Sequence, residues 1–321
     1  MRCVAVGGGL AVASRPPRTR FAPSPTGHLH LGHAAHMLYV WGLAQLEGAE
    51  VLLRIEDHDR QRSRPAFEES ILRDIDWLGF EPANDVCPGR SPFRQSDCAE
   101  RYERALSRLA RRWHVYRCTC TRKQLAKAVR PLPTGERPYP GTCRRLMHPE
   151  DVPHSLRVAW HHGASAECFE DGLQGPQRQE PRLQCGDMVV RDRTGQWSYQ
   201  FAVTVDDLSH SIDFVVRGLD LLESTGRQLR LAQMLGRARP PRYYHHPLLT
   251  DERGKKLAKG RGALPIRSLR AAGCAAAEVL GRAAAGGGLL AEPWPVHASE
   301  AGELVARALA EWRRQGPPGP Q

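Results

Sequence analysis

Residues 20–34 read RFAPSPTGHLHLGHA. Pro23, Pro25 and Gly27 forbid regular structure there, whereas the text from Leu31, LGHAAHMLYVWGLAQLEG, has the apolar spacing of a helix that Gly48 closes. A strand, a tight loop and a helix N-terminus in succession make a phosphate site, because free backbone N–H groups and the helix dipole both favour an anion. His30 and His33 add imidazole donors able to follow charge as it develops on a phosphoryl group.

A second signal is the placing of the lysines. Only five lysines stand among 46 basic residues, and three of them, Lys255, Lys256 and Lys259, share the stretch TDERGKKLAKGRG. Lysine is a mobile point charge for phosphate, a role the planar fork of arginine does not reproduce. Alone, this stretch reads first as a solvated basic turn. Together with the histidine loop it reads as the second half of a nucleotide site.

At 321 residues the chain can bury a large core in two or three domains. No apolar run reaches the ~18–20 residues that span a bilayer. A net charge of +11 suits a polyanionic partner, although arginine-rich usage alone would also raise it. Nine cysteines, an odd number, argue for a reducing cytoplasmic setting over a disulfide framework. Residues 1–17 imitate a short signal peptide, but the free thiols and nucleotide loop argue against it. They are read as a flexible extension or a misplaced start, and residues 315–321, QGPPGPQ, as a disordered tail.

VLLRIED (51–57) reads as an apolar strand ending in carboxylates, and PAFEESILRDIDWLGF (65–80) as an amphipathic helix with Pro65 in its first turn. Alternating strands and helices predict an α/β fold with a parallel sheet and a site at the strands' carboxyl ends. From about 93 to 190 the pattern loosens into Pro-, Gly- and Cys-bearing text, read as an insertion. Period-two alternation returns at SYQFAVTVDD (198–207) and at DFVVRG, followed by a helix from about Ser224 and, after the lysines, a helical tail. Inside the insertion Cys118, Cys120 and Cys143 place three thiols within 26 residues, a set that suits zinc or, failing that, unpaired buried thiols. The remaining cysteines show no ligand spacing.

With the two nucleotide motifs, RIEDHDRQR (54–62), FRQSDCAERYERAL (93–106), SYQFAVTVDD and VVRGLDLLESTGRQ (215–228) resemble, in order, the class I aminoacyl-tRNA synthetases in their glutamyl branch. The resemblance covers about residues 18–285. It implies a Rossmann-type first half at 18–92, an inserted acceptor-binding-like domain at 93–190, a second half at 191–245 and, at 246–314, the lysine loop with a small helical stem-contact-like domain. It further implies that ATP, carrying Mg²⁺, is held by His30, Gly32, His33, Lys256 and Lys259. Glutamate would be held by Arg20, Ala22, Ser24, Glu56, Tyr199 and Arg217. The alternatives are that Glu56 caps the next element, Tyr199 is a core aromatic and Arg217 pairs with Asp220 or Glu223.

The glutamyl-Q group of this family carries a C-x-C…Y-x3-C zinc pattern, which Cys118, Cys120, Tyr139 and Cys143 match. Two positions depart from the wider family. Ala258 replaces the usual Ser or Thr of the lysine motif, and Val203 stands where tRNA-charging members have Asn, as in the glutamyl-Q group. Only 62 residues follow Lys259, too few for an anticodon-binding module. The resemblance therefore implies a monomeric ligase that transfers glutamate to queuosine in the anticodon of tRNA(Asp). The alternatives are a shortened synthetase charging tRNA(Glu) and an inactive RNA-binding paralogue.

Overall fold

The computed structural model describes residues 15–86, 89–160, 166–249 and 264–315. Strand β1 (Arg18–Phe21) leads through the Pro/Gly loop into helix α1 (Leu31–Glu47), which ends where Gly48 takes φ +59 and donates its N–H to Ala44 and Gln45. Strand β2 (Glu50–Leu53) then pairs parallel with β1, Arg18 opposite Glu50 and Phe21 opposite Leu53. The strand read over 51–57 thus stops at Leu53, where proline-bearing loop replaces β1 as its neighbour; Ile55 makes only an isolated bridge to Arg94. Helix α2 (Pro65–Trp77) starts with Pro65 in its first turn as its sequence predicts, and ends three residues short of Phe80.

After α3 (Ala99–Arg112), β3 (Val115–Cys118) and α4 (Arg122–Ala128), strands β4 (Ser155–Val158) and β7 (Met188–Arg191) join β3 in an antiparallel sheet of order β3-β4-β7. Between β4 and β7 lie the hairpin β5 (Glu167–Asp171) and β6 (Gly175–Gln179) and the short α5 (Pro181–Gln184). That hairpin lies on the edge of a third sheet, of order β6-β5-β9-β8, with β8 (Phe214–Gly218) and β9 (Arg242–His246) paired in parallel. Asp213 ties the two halves: its N–H donates to the Arg18 carbonyl at 2.8 Å and its carboxylate accepts the Arg18 N–H at 2.8 Å.

The alternation at 198–207 belongs to a helix, α6 (Tyr199–Ser209), and not to a strand. Tyr199, Phe201, Val203 and Val205 do fall at period two, but Phe201 through Asp207 are all buried. Burial on every side erases the periodic signal that separates helix from strand. The deciding local feature is Ser198, whose hydroxyl accepts the Phe201 N–H and caps the helix. Helix α7 (Thr225–Met234) begins one residue after the expected start. With α3, α6 and the β3-β4-β7 sheet it closes one core around Tyr102, Trp160 and Phe201.

Three helices follow: α8 (Ile266–Ala271), α9 (Ala276–Gly286) and α10 (Ala301–Gln315). Leu280, Ala283, Leu304 and Val305 pack with Leu38, Tyr39 and Val51 in a single core, so these helices share their interior with α1 and the β1–β2 pair. No helix among the described residues is long and apolar enough to cross a membrane.

Candidate active site and thiol cluster

Beyond their strands, the chains after β1 and β2 stay side by side: Arg54, Glu56 and Arg64 donate their N–H groups to the carbonyls of Phe21, Pro23 and Pro25, each at 3.0 Å. This extension carries Ala22 and Ser24 alongside Glu56. The loop delivers His30, in extended conformation (φ −138°, ψ 177°), to the N-cap of α1. His30 Nδ1 accepts the Gly32 N–H at 3.1 Å, His33 Nδ1 accepts the N–H of His30 itself at 3.1 Å, and the ring centroids lie 4.0 Å apart. An imidazole nitrogen that accepts cannot carry the proton, so each neutral ring holds its N–H at Nε2.

Gly32 is required by the same fold-back, for a Cβ there would meet His30 Cε1 at 2.9 Å and Nδ1 at 3.1 Å. Pro265 forms a bridge to His30, and the Ile266 N–H donates to Leu29 at 2.9 Å. Lys255, Lys256, Ala258, Lys259 and Gly260 lie outside the described residues. The chain that resumes after them is therefore attached to the histidine loop.

The second half of the site is a buried charge cluster. Asp207 Oδ1, from α6, accepts from Arg54 at 2.6 Å and from Arg20 at 3.1 Å, and Arg54 also donates to Glu56 at 2.9 Å. Burial opposes ionisation of Asp207, but Arg20 and Arg54 outweigh it and hold its carboxyl at about 2. Tyr199, the first residue of α6, has its phenol pushed up by burial and by Glu56, against the opposing charges of Arg217 and Arg20. Tyr199 therefore lies within reach of the fields of all three expected pocket charges.

Arg217, on β8, is 3% exposed. It donates through Nε to His245 Nε2 at 2.9 Å, through one terminal nitrogen to Gln228 Oε1 at 2.7 Å and through the other to Thr225 Oγ1 at 2.8 Å. Asp220 and Glu223, its alternative partners, are not among its contacts. Sequence reasoning missed Arg54, Asp207, Asp171, Thr225, Gln228 and His245. Arg54 and Asp207 carried a signal, as charged residues inside the apolar text VLLRIED and VTVDD; Thr225 and Gln228 lay in the quoted stretch 215–228, and Asp171 and His245 carried none.

The Cys118, Cys120 and Cys143 sulfurs all lie within 4.8 Å of one another. Cys120 and Cys143 Sγ are 3.6 Å apart, and Tyr139 Oη lies 3.3 Å from Cys118 Sγ and 3.8 Å from Cys120 Sγ. A tetrahedral ion with metal–sulfur bonds of ~2.3 Å and a metal–oxygen bond of ~2.0 Å has edges of about 3.8 and 3.5 Å, close to these spacings. The Cys143 N–H donates to Tyr139 Oη at 2.8 Å, which leaves the oxygen able to serve as an acceptor or ligand. Burial raises the Cys120 thiol to about 11; at Cys143 it is overcome by the Tyr139 hydroxyl and the Thr119 backbone, and that thiol falls to about 7. The Tyr139 N–H is anchored on Cys185 at 2.9 Å and the Arg157 guanidinium stacks over its ring at 3.8 Å. Cys98, Cys168, Cys185 and Cys274 stand outside the cluster, and Cys3 and Cys87 lie outside the described residues.

This chain matches the family of tRNA synthetases class I (E and Q), catalytic domain, over residues 17–275. It is 44% identical to a Glutamyl-Q tRNA(Asp) synthetase of Nitratidesulfovibrio vulgaris over 276 residues, 82% of this chain and 84% of that protein. A protein of the same name from Symbiobacterium thermophilum is 42% identical over 294 residues, 88% of this chain and 90% of its own. Among solved structures, a glutamate tRNA ligase from Elizabethkingia meningosepticum in complex with its amino acid superposes with a TM-score of 0.64 at 26% identity over 80% of this chain. This chain spans 53% of the length of that ligase. The chain belongs to the class I tRNA synthetases of the E and Q type, a family of ligases, within the group whose members are named glutamyl-Q tRNA(Asp) synthetase.

Proposed function

We propose that this chain activates glutamate with ATP and transfers it to the queuosine base in the anticodon of tRNA(Asp). The observation that carries the glutamate half is Arg217. A buried guanidinium is costly unless an anion meets it, and its three hydrogen-bond partners, His245, Gln228 and Thr225, are all neutral. Two of its five N–H donors remain, enough for both oxygens of a carboxylate. Glu56 is the carboxylate for the substrate ammonium, with Arg20, Ala22, Ser24 and Tyr199 completing the pocket.

In the first step a carboxylate oxygen of glutamate attacks the α-phosphorus of ATP and pyrophosphate leaves. The Nε2–H groups of His30 and His33 donate to the α-phosphate as its charge grows, and Lys256 and Lys259 meet the β- and γ-phosphates. Mg²⁺ bound to ATP supplies further charge neutralisation. An acceptor hydroxyl then attacks the adenylate carbonyl, loses its proton and expels AMP. A cavity of about 580 Å³ is lined in part by Pro25, Asp57, Arg64 and Ser96, and we place the approach of the acceptor there. Zinc would be held by Cys118, Cys120, Cys143 and Tyr139; four protein ligands leave no open position for water, so its contribution is to hold the insertion together.

The test is incorporation of labelled glutamate, with ATP, into total tRNA from a queuosine-containing strain and a queuosine-deficient one. Label on tRNA(Asp) from the first strain alone is the expected result. Equal label on tRNA(Glu) from both would replace it with a shortened synthetase, and none in either would point to an inactive paralogue.

A further inference from the structure

Arg217 is held by a buried chain of hydrogen bonds that runs out to the β5–β6 hairpin. Asp171 Oδ1 accepts the backbone N–H groups of Leu173 and Gln174, each at 3.0 Å, and of His245 at 3.2 Å. Asp171 Oδ2 accepts from His245 Nδ1 at 2.5 Å, with both side chains fully excluded from solvent. The Nδ1 proton is therefore fixed, and His245 Nε2 presents a lone pair. Arg217 Nε–H points at that lone pair at 2.9 Å, and the Thr225 hydroxyl lies 3.2 Å from it while accepting from Arg217 at 2.8 Å. Burial and the Arg217 charge keep His245 below its ordinary range despite Asp171, which agrees with a neutral ring.

We infer that Asp171 and His245 are positioning residues for glutamate recognition: by fixing the His245 tautomer they orient the Arg217 guanidinium so that its two remaining donors face the substrate carboxylate. The inference rests on Arg217 as the carboxylate ligand. Neither residue touches substrate. Asp171 arrives from text that sequence reasoning assigned to the insertion, 74 residues from His245, so the hairpin tunes a pocket that the two nucleotide-binding halves build.

Asp171→Asn separates positioning from mere stapling. The site around Oδ1 receives three N–H donors, so the amide oxygen must sit there and its NH₂ must face His245 Nδ1. The imidazole proton is then driven to Nε2, where it meets Arg217 Nε–H donor to donor. In ATP–pyrophosphate exchange the glutamate KM should rise roughly 10- to 100-fold, the scale of one hydrogen bond to a charged group, while the ATP KM stays within about twofold. In ¹⁵N NMR spectra the His245 proton should reside on Nδ1 in the native protein and on Nε2 in the variant. The single variant His245→Gln, whose NH₂ can donate to Asp171 while its amide oxygen accepts from Arg217, should keep the glutamate KM within a few-fold of native.

An unchanged glutamate KM, an equal rise for ATP, or an Nε2–H tautomer in the native protein would overturn the inference. If Asp171→Asn does not fold, the native tautomer and the single variant His245→Gln still decide it. If the native protein shows no glutamate-dependent exchange, the reading of the reaction fails, whereas the tautomer still reports on the relay.

Discussion

Gly32→Ala is the substitution on which stability and activity should part company. Gly32 occupies the second position of α1, where alanine is favoured over glycine by about 1 kcal/mol on helix propensity. Its new Cβ would stand 2.9 Å from His30 Cε1 and 3.1 Å from Nδ1, against ordinary carbon contacts of ~3.5–4.0 Å. The ring must retreat by about 0.5–1 Å and can do so, because it is a side chain rather than backbone. In retreating it gives up the bond from the Gly32 N–H, a cap of about 1 kcal/mol. The two contributions cancel, so the melting temperature should move by no more than about 2 °C. Activity should not survive as well: a reacting group displaced by ~1 Å costs about 100-fold. Glutamate-dependent ATP–pyrophosphate exchange, measured beside a thermal melt, reads both numbers. A native exchange rate in a natively stable Gly32→Ala protein would refute the role of the His30 ring. Adding His30→Ala to the variant should cost little more, since both changes remove one interaction.

Three further outcomes are expected. Lys259→Ala should abolish most exchange activity with an unchanged melting temperature; near-native exchange would remove the lysine from the proposed chemistry. Cys118→Ser should lower bound zinc, read by metal analysis, and lower the melting temperature while the ATP KM is retained; native protein without zinc would leave the cluster held by packing. Asp74, buried on α2 with Arg270 at 3.4 Å, has its carboxyl pushed up by burial to about 6, against Arg270 and Arg267. Its folded value lies above the ordinary ~3.9, so the folded state binds the proton more tightly. Its contribution should therefore make the protein more stable as pH falls from about 6 towards 4, on the order of 1 kcal/mol, and Asp74→Asn should erase that component of the denaturation midpoint. A midpoint with the same slope in the variant would refute it.

Much of this site was legible because its signals are local. His30, Gly32 and His33 meet within four residues, Gly48 closes the same helix, and Pro65 begins the next. The thiol cluster was legible by spacing, since Cys118, Cys120 and Cys143 meet within one short stretch. Helix α6 was not, because a helix buried on all sides keeps no polar face to set its period, and Tyr199, Phe201, Val203 and Val205 fell at alternate positions. The Asp207 cluster was half legible: a charge inside an apolar run must have a partner, but nothing in VTVDD says that the partners are Arg20 and Arg54. Asp171 and His245 were illegible for a different reason. Their partnership exists only because the hairpin joins the edge of β9, and that pairing crosses the whole second half of the fold.

The arrangement of charges gives a physical reason for the proposed choice of amino acid. Arg20, Arg54, Glu56 and Asp207 form a connected set with two charges of each sign. That set is balanced by itself, and it rigidifies the pocket without demanding a ligand charge. Arg217 is outside it, surrounded by neutral acceptors that hold its direction but not its charge. Glutamate brings one net negative charge and would fill this deficit; glutamine, a zwitterion of nearly the same shape, would leave a buried guanidinium facing an amide. Leaving one partner of a buried ion pair uncompensated costs about 3–5 kcal/mol, a discrimination of roughly 10²–10³ or more. Selectivity on this account depends on keeping carboxylates away from Arg217, and the neutral imidazole of His245 does that while passing on the orientation set by Asp171.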